Sequence, residues 1–116
     1  MLFVCYPKCT TCQKARAFLE ERGISYEFRD IKQDRPTAEE LEEWWKKSGL
    51  PLKRFFNTSG LIYQSLGLKD RLPAMSQREQ LELLGSDGML VKRPILVGED
   101  FALVGFRQPA WEEALG

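Results

Sequence analysis

Histidine is missing from the chain altogether. Its absence removes Cys-His nucleophile pairs, imidazole acid–base catalysis and the Cys/His zinc sites, each of which loses a required residue. Long apolar runs are missing too, and nothing approaches the roughly 18 residues of a membrane span. The opening residues lead straight into a strand pattern, without the basic and apolar regions of a signal peptide. Charge of either sign is not in excess, since 17 basic residues balance 17 acidic ones. That balance argues against direct nucleic-acid binding and against attraction to an anionic membrane. Repeats and low-complexity tracts are absent. Cysteine is scarce, with three residues among 116. An odd, small number in a chain that can build its own core points to a reducing, cytoplasmic setting rather than to disulfide staples.

What is present starts with Cys9-Thr10-Thr11-Cys12. The pair follows an apolar strand pattern, Leu2 to Tyr6, closed by Pro7. It precedes a helical run whose apolar positions are Ala15, Phe18 and Leu19. Two thiols at a strand-to-helix junction read as a redox pair. The open N–H groups and partial positive charge of a helix start favour thiolate over thiol. Cys9 is then the exposed nucleophile, and Cys12, one turn on, can resolve a mixed disulfide. Cys5, inside the strand, reads as a small buried apolar side chain.

Gly23 stops the first helix, and Ile24 to Ile31 reads as a second strand. Thr37 with Glu40, and Ser76 with Glu79, form capping boxes for helices ending near Ser48 and Leu84. Short helical pieces are expected at Leu52 to Asn57 and Tyr63 to Leu66. Of Trp44 and Trp45, one should cover core and the other an edge. The acidic run Glu39, Glu40, Glu42 and Glu43 reads as a solvated helix face. Pro94 to Val97 and Phe101 to Val104 form a hairpin across Gly98-Glu99-Asp100. Pro109 opens a last helix to Leu115.

The predicted order is βαβ, a helical insertion over about residues 37–90, then ββα. This is an α/β, thioredoxin-like fold in a single domain, residues 1–116, with a mixed four-stranded sheet. Arg93 and Arg107 flank the hairpin and should lie near the strand ends beside Cys9. There they can bind an oxyanion or act on the thiol, if they are not simply solvated. Lys8 and Arg16 are further basic neighbours in sequence. Arg93-Pro94 is a candidate cis bond facing the thiols.

These residues carry a resemblance. Tyr6-Pro7-Lys8-Cys9-Thr10-Thr11-Cys12-Gln13-Lys14-Ala15-Arg16 resembles the opening motif of the arsenate reductase (ArsC) family. Lys92-Arg93-Pro94-Ile95-Leu96-Val97 and Leu103-Val104-Gly105-Phe106-Arg107 resemble its second and third signatures. The C-x-x-C is similar to the Spx/YffB-like branch. The resemblance spans nearly the whole chain. It implies that Cys9 is the nucleophile, that Arg93 and Arg107 belong to the oxyanion site, and that Cys12 or glutathione resolves the intermediate. It implies no bound cofactor, a small oxyanion or thiol substrate, and glutathione, glutaredoxin or thioredoxin as electron partner. An alternative implied by the Spx-type members is a redox-sensing regulator that binds RNA polymerase through a Cys9–Cys12 switch. The chain departs from the reductases at Asn57, where they carry a third arginine, and at Cys5, where they carry histidine. Loss of one charged donor costs about 1.5–3 kcal/mol, which counts against arsenate itself as substrate.

Overall fold

The computed structural model describes all of residues 1–116. Strand β1 (Leu2–Cys5) leads into helix α1 (Thr10–Glu21) and strand β2 (Glu27–Asp30). The insertion carries α2 (Ala38–Ser48), α3 (Leu61–Ser65), α4 (Leu68–Arg71) and α5 (Gln77–Ser86), with 3-10 turns at Leu52–Phe55, Leu72–Ala74 and Gly88–Leu90. Strands β3 (Ile95–Val97) and β4 (Ala102–Val104) and helix α6 (Gln108–Leu115) complete the chain. The sheet order is β2-β1-β3-β4. β1 runs parallel to β2 and antiparallel to β3, and β3 pairs antiparallel with β4. This is the mixed four-stranded sheet expected from the sequence. No helix is long and apolar enough to cross a membrane.

The two faces of the sheet follow from the two-residue period of a strand. Phe3, Cys5 and Leu96 turn toward α1 and α6, where they meet Cys12, Ala15, Leu19 and Trp111. Val4, Ile95 and Val97 turn the other way, toward Leu41, Trp44, Phe55, Phe56 and Leu84 of the insertion. Trp44 is buried, while Trp45 lies at the edge with its indole N–H donated to the Leu50 carbonyl at 2.8 Å.

The second strand is shorter than the sequence pattern suggested. Gly23 N–H bonds to Glu20 O at 3.1 Å and Ile24 N–H to Leu19 O at 3.0 Å. This paired closure of α1 at the expected Gly23 stop also uses Ile24, which an alternating pattern assigns to a strand. Pairing with β1 therefore begins at Glu27.

Both capping boxes form as read. Glu40, however, is not merely a solvated member of an acidic face. It accepts from Arg29 Nη1 at 2.6 Å and Nη2 at 2.9 Å, and also from the Thr37 N–H at 3.0 Å. Arg29 further donates to the Asp34 and Arg35 carbonyls. This one guanidinium fastens β2 to the start of α2.

A second fastening is steric. A Cβ at Gly88 would stand 1.8 Å from the Ile31 carbonyl oxygen. Only glycine lets the Gly88–Leu90 turn close on the end of β2. Gly88→Ala is expected to cost about 2–4 kcal/mol in chemical denaturation, because backbone must move on one side or the other.

The hydrogen bond from Arg29, foremost, holds the Glu40 carboxyl down at about 2, against an ordinary 4.5. A depressed folded-state pKa adds stability that is complete above the unfolded value and is lost as pH falls toward the folded one. With about a third of the side chain in water, the contribution is discounted to about 1–2 kcal/mol. Glu40→Gln should lower stability by that amount at pH 7, and the gap should close near pH 2 in urea titrations. A pH-independent gap would show that the ion pair contributes nothing.

Candidate active site

The turn Tyr6-Pro7-Lys8-Cys9 is closed by Cys9 N–H to Tyr6 O at 2.9 Å. Pro7 presets the bend between β1 and α1. Cys9 is the N-cap residue of α1, with φ −83° and ψ 126°, and its side chain makes no cap hydrogen bond. The Gln13 N–H reaches the Cys9 carbonyl at 3.0 Å, so the sulfur stands at the first turn of the helix, free of backbone partners. It is half-buried.

Cys12 is different. It is 1% exposed and lies in the core beneath α1. The Tyr6 N–H donates to its Sγ at 3.3 Å. Its thiol touches those of both Cys5 and Cys9. The Cys5 contact, followed by burial, pushes the Cys12 thiol well above its ordinary range. All three cysteines are free thiols.

Cys9 opens onto a cavity of about 540 Å³ that it shares with Arg93, Lys92, Asn57, Thr11 and Met89. Arg93 is fixed there by Nη1 donation to the Met89 carbonyl at 3.3 Å and by stacking 5.4 Å from the Tyr6 ring. The Arg93-Pro94 peptide, whose isomer the sequence leaves open, is cis. The insertion is laced to this segment by Lys92 N–H to Phe55 O at 2.7 Å and Asn57 N–H to Leu90 O at 2.8 Å.

Arg107 does not line the same cavity. It lies in an adjoining one of about 630 Å³, with Lys53, Arg54 and Lys92. Thr11 and Lys92 belong to both. Gly105, at φ +73°, turns the chain sharply from β4 toward α6, and Arg107 sits as the N-cap of that helix. A non-glycine residue would be strained there.

Five cations, Lys53, Arg54, Lys92, Arg93 and Arg107, thus surround the two cavities, and no carboxylate lines either one. None of the five enters an ion pair, which is true also of Lys8, Lys14, Lys32, Arg35, Lys69 and Arg71 elsewhere on the surface; what sets the five apart is that they gather around two cavities. Lys53, Arg54 and Lys92 were not singled out by sequence. Only the Lys92-Arg93 doublet offered a signal. Lys8 lines neither cavity, and Arg16 is engaged by Tyr26 and Glu20 on the outer face of α1. The arrangement suits an anionic ligand held against one accessible sulfur.

Comparison with known proteins bears on the family and the fold. The ArsC family model matches residues 5–114. The uncharacterised protein YusI of Bacillus subtilis is 50% identical over 113 residues, covering 97% of this chain and 96% of that one. The global transcriptional regulator Spx of Enterococcus faecalis is 32% identical over 103 residues, covering 88% of this chain and 76% of that protein. A crystal structure from Bacteroides fragilis, described as related to the ArsC family, superposes with a TM-score of 0.94 at 53% identity, covering 97% and 94% of the two chains. The crystal structure of a possible arsenate reductase from Streptococcus mutans superposes with a TM-score of 0.90 at 46% identity, covering 99% and 97%.

Brief treatment with iodoacetamide at pH 7 is expected to alkylate Cys9 and to leave Cys5 and Cys12 unmodified until the protein is unfolded. Peptide fragmentation spectra read this directly. Equal labelling of all three thiols in the native protein would contradict their burial.

Proposed function

The chain belongs to the ArsC family, a match carried by residues 5–114, and we propose that it acts there as a cytoplasmic thiol–disulfide oxidoreductase with Cys9 as nucleophile. The observation that carries this reading is the half-buried Cys9 sulfur at a cavity edged by cations with no carboxylate among them. The thiolate attacks one sulfur of an oxidised substrate. A Cys9 mixed disulfide forms and the other sulfur leaves as a thiolate, which takes a proton from water. Cys12 resolves this intermediate by attacking the Cys9 sulfur. In the alternative route glutathione resolves it instead, by attacking the outer sulfur, which releases Cys9. Glutathione or glutaredoxin then supplies the electrons, and no bound cofactor takes part.

The separation of Arg93 and Arg107 into adjoining cavities bears on the substrate. A single tetrahedral oxyanion at Cys9 would meet Lys92 and Arg93, with neutral Asn57 as the next polar side chain. A longer ligand with two carboxylates, such as a glutathione adduct, could use the charges of both cavities. Glutathione-linked disulfides are therefore favoured over arsenate as substrate.

A second reading is a redox-sensing regulator. It is supported by the 32% identity to Spx and by the contact between the Cys9 and Cys12 thiols. A Cys9–Cys12 disulfide would then switch binding to RNA polymerase instead of turning over.

The assay is reduction of a glutathione mixed disulfide by glutathione with glutaredoxin. Cys9→Ser should abolish turnover. Lys92→Gln and Arg107→Gln should each raise KM about 3- to 10-fold with little change in kcat, as expected for charge-assisted contacts near a surface. Arsenate should be the poorer substrate. Closure of the Cys9–Cys12 disulfide should accelerate about tenfold per pH unit through the neutral range, because the raised Cys12 thiol supplies more thiolate at each step. Absence of turnover, together with oxidation-dependent retention on purified RNA polymerase, would favour the regulator and overturn the enzyme.

A further inference from the structure

Cys5 has no part in the chemistry described so far, yet its thiol touches that of Cys12. The two are 2% and 1% exposed and face each other across the seam between β1 and α1. The geometry is tight there. The Tyr6 nitrogen, bonded directly to the Cys5 carbonyl carbon, lies 3.3 Å from Cys12 Sγ. Cys12 also touches Cys9, so its sulfur is the central member of a row of three. Thiol–disulfide exchange needs attacking, central and leaving sulfurs in a line. Cys12, next to both other thiols, holds the central place in the order Cys5, Cys12, Cys9.

We infer that Cys5 is a second resolving thiol, which draws the disulfide inward and returns Cys9 to its reduced state. The inference rests on the reading of Cys9 as nucleophile and of Cys12 as its resolving partner. Cys9 first attacks a disulfide R–S–S–R′, forming Cys9–S–S–R and releasing R′S⁻. Cys12 attacks the Cys9 sulfur, the Cys9–R bond breaks, and R leaves as a thiol. Cys5 then attacks the Cys12 sulfur. The Cys5–Cys12 bond forms, the Cys9–Cys12 bond breaks, and Cys9 leaves as a thiolate into the cavity of Lys92 and Arg93. The Cys5 proton passes to solvent. The net result is one substrate disulfide reduced and one buried protein disulfide formed, with two electrons transferred.

The sequence provides a direct readout. Trypsin cleaves after Lys8 and Lys14, which places Cys5 in residues 1–8 and both Cys9 and Cys12 in residues 9–14. The intact protein is oxidised with glutathione disulfide, quenched in acid, alkylated and digested. The expected product joins residues 1–8 to residues 9–14, with the alkyl group on Cys9. In Cys9→Ser the same cross-link should form at least about tenfold more slowly, since the accessible entry thiol is gone. An internal Cys9–Cys12 loop, or glutathione on Cys9, with Cys5 alkylated, would overturn the inward transfer and leave Cys9 as nucleophile. Equal cross-linking rates in wild type and Cys9→Ser would overturn the route through Cys9. No oxidation at any of the three would overturn both this inference and the oxidoreductase reading.

Discussion

The seam between β1 and α1 is the constraint from which the rest of the site follows. Phe3 and Cys5 on the strand meet Cys12, Ala15 and Leu19 on the helix, and all five are buried. Small residues at Cys5, Cys12 and Ala15 let the helix approach the sheet closely, and a thiol packs there as a compact apolar group. The close approach aims the Tyr6 N–H at the Cys12 sulfur. It also fixes where the helix begins, and so places Cys9 at its N-terminal cap rather than within it. A bulkier residue at position 12 would lift α1 from the sheet and move Cys9 with it. Packing and chemistry are set by the same side chain.

The second wall of the site comes from the insertion, and three independent fastenings hold it. Arg29 and Glu40 pin α2 to β2. Gly88 closes on the Ile31 carbonyl. Backbone bonds tie Phe55 to Lys92 and Asn57 to Leu90. The Arg29–Glu40, Gly88–Ile31 and Phe55–Lys92 contacts join the insertion to a sheet strand or its flank, while Asn57–Leu90 closes the insertion on its own last turn. Met89, one residue beyond Gly88, receives the Arg93 hydrogen bond, so the turn that anchors the insertion also orients a cation of the site.

Local signals carried most of the fold. Capping boxes, the Gly23 stop, the hairpin turn and the 3.6-residue spacing of α1 are short-range, and each appears where the sequence places it. The second strand was over-extended because alternation cannot reveal that Ile24 is consumed in closing the preceding helix. Glu40 looked solvated because Arg29, its partner, sits on another element. Of the candidate site, the sequence put Cys9 and Arg93 at element ends that do meet at one cavity, whereas Arg107, expected beside Cys9, stands in the adjoining one. Lys53 and Arg54 were not legible, since a one-turn helix in an insertion carries no mark of which strand it will adjoin. The Cys5–Cys12 contact was equally hidden, because it depends on the register of a helix over a strand.

The charge distribution gives the strongest argument that this end of the molecule binds something anionic. A chain with equal numbers of acidic and basic residues can place an acidic partner beside a cation, and on α1, α2 and α5 it does so for Arg16, Lys46, Lys47 and Arg78. Around the two cavities it does not, although five cations gather there. These cations are wholly or partly exposed, so they form a solvent-facing positive field, with a screening length of about 8 Å at physiological salt, rather than a buried charge cluster. An anion that enters either cavity meets positive charge with no competing carboxylate, and one entering the first is drawn toward the Cys9 sulfur.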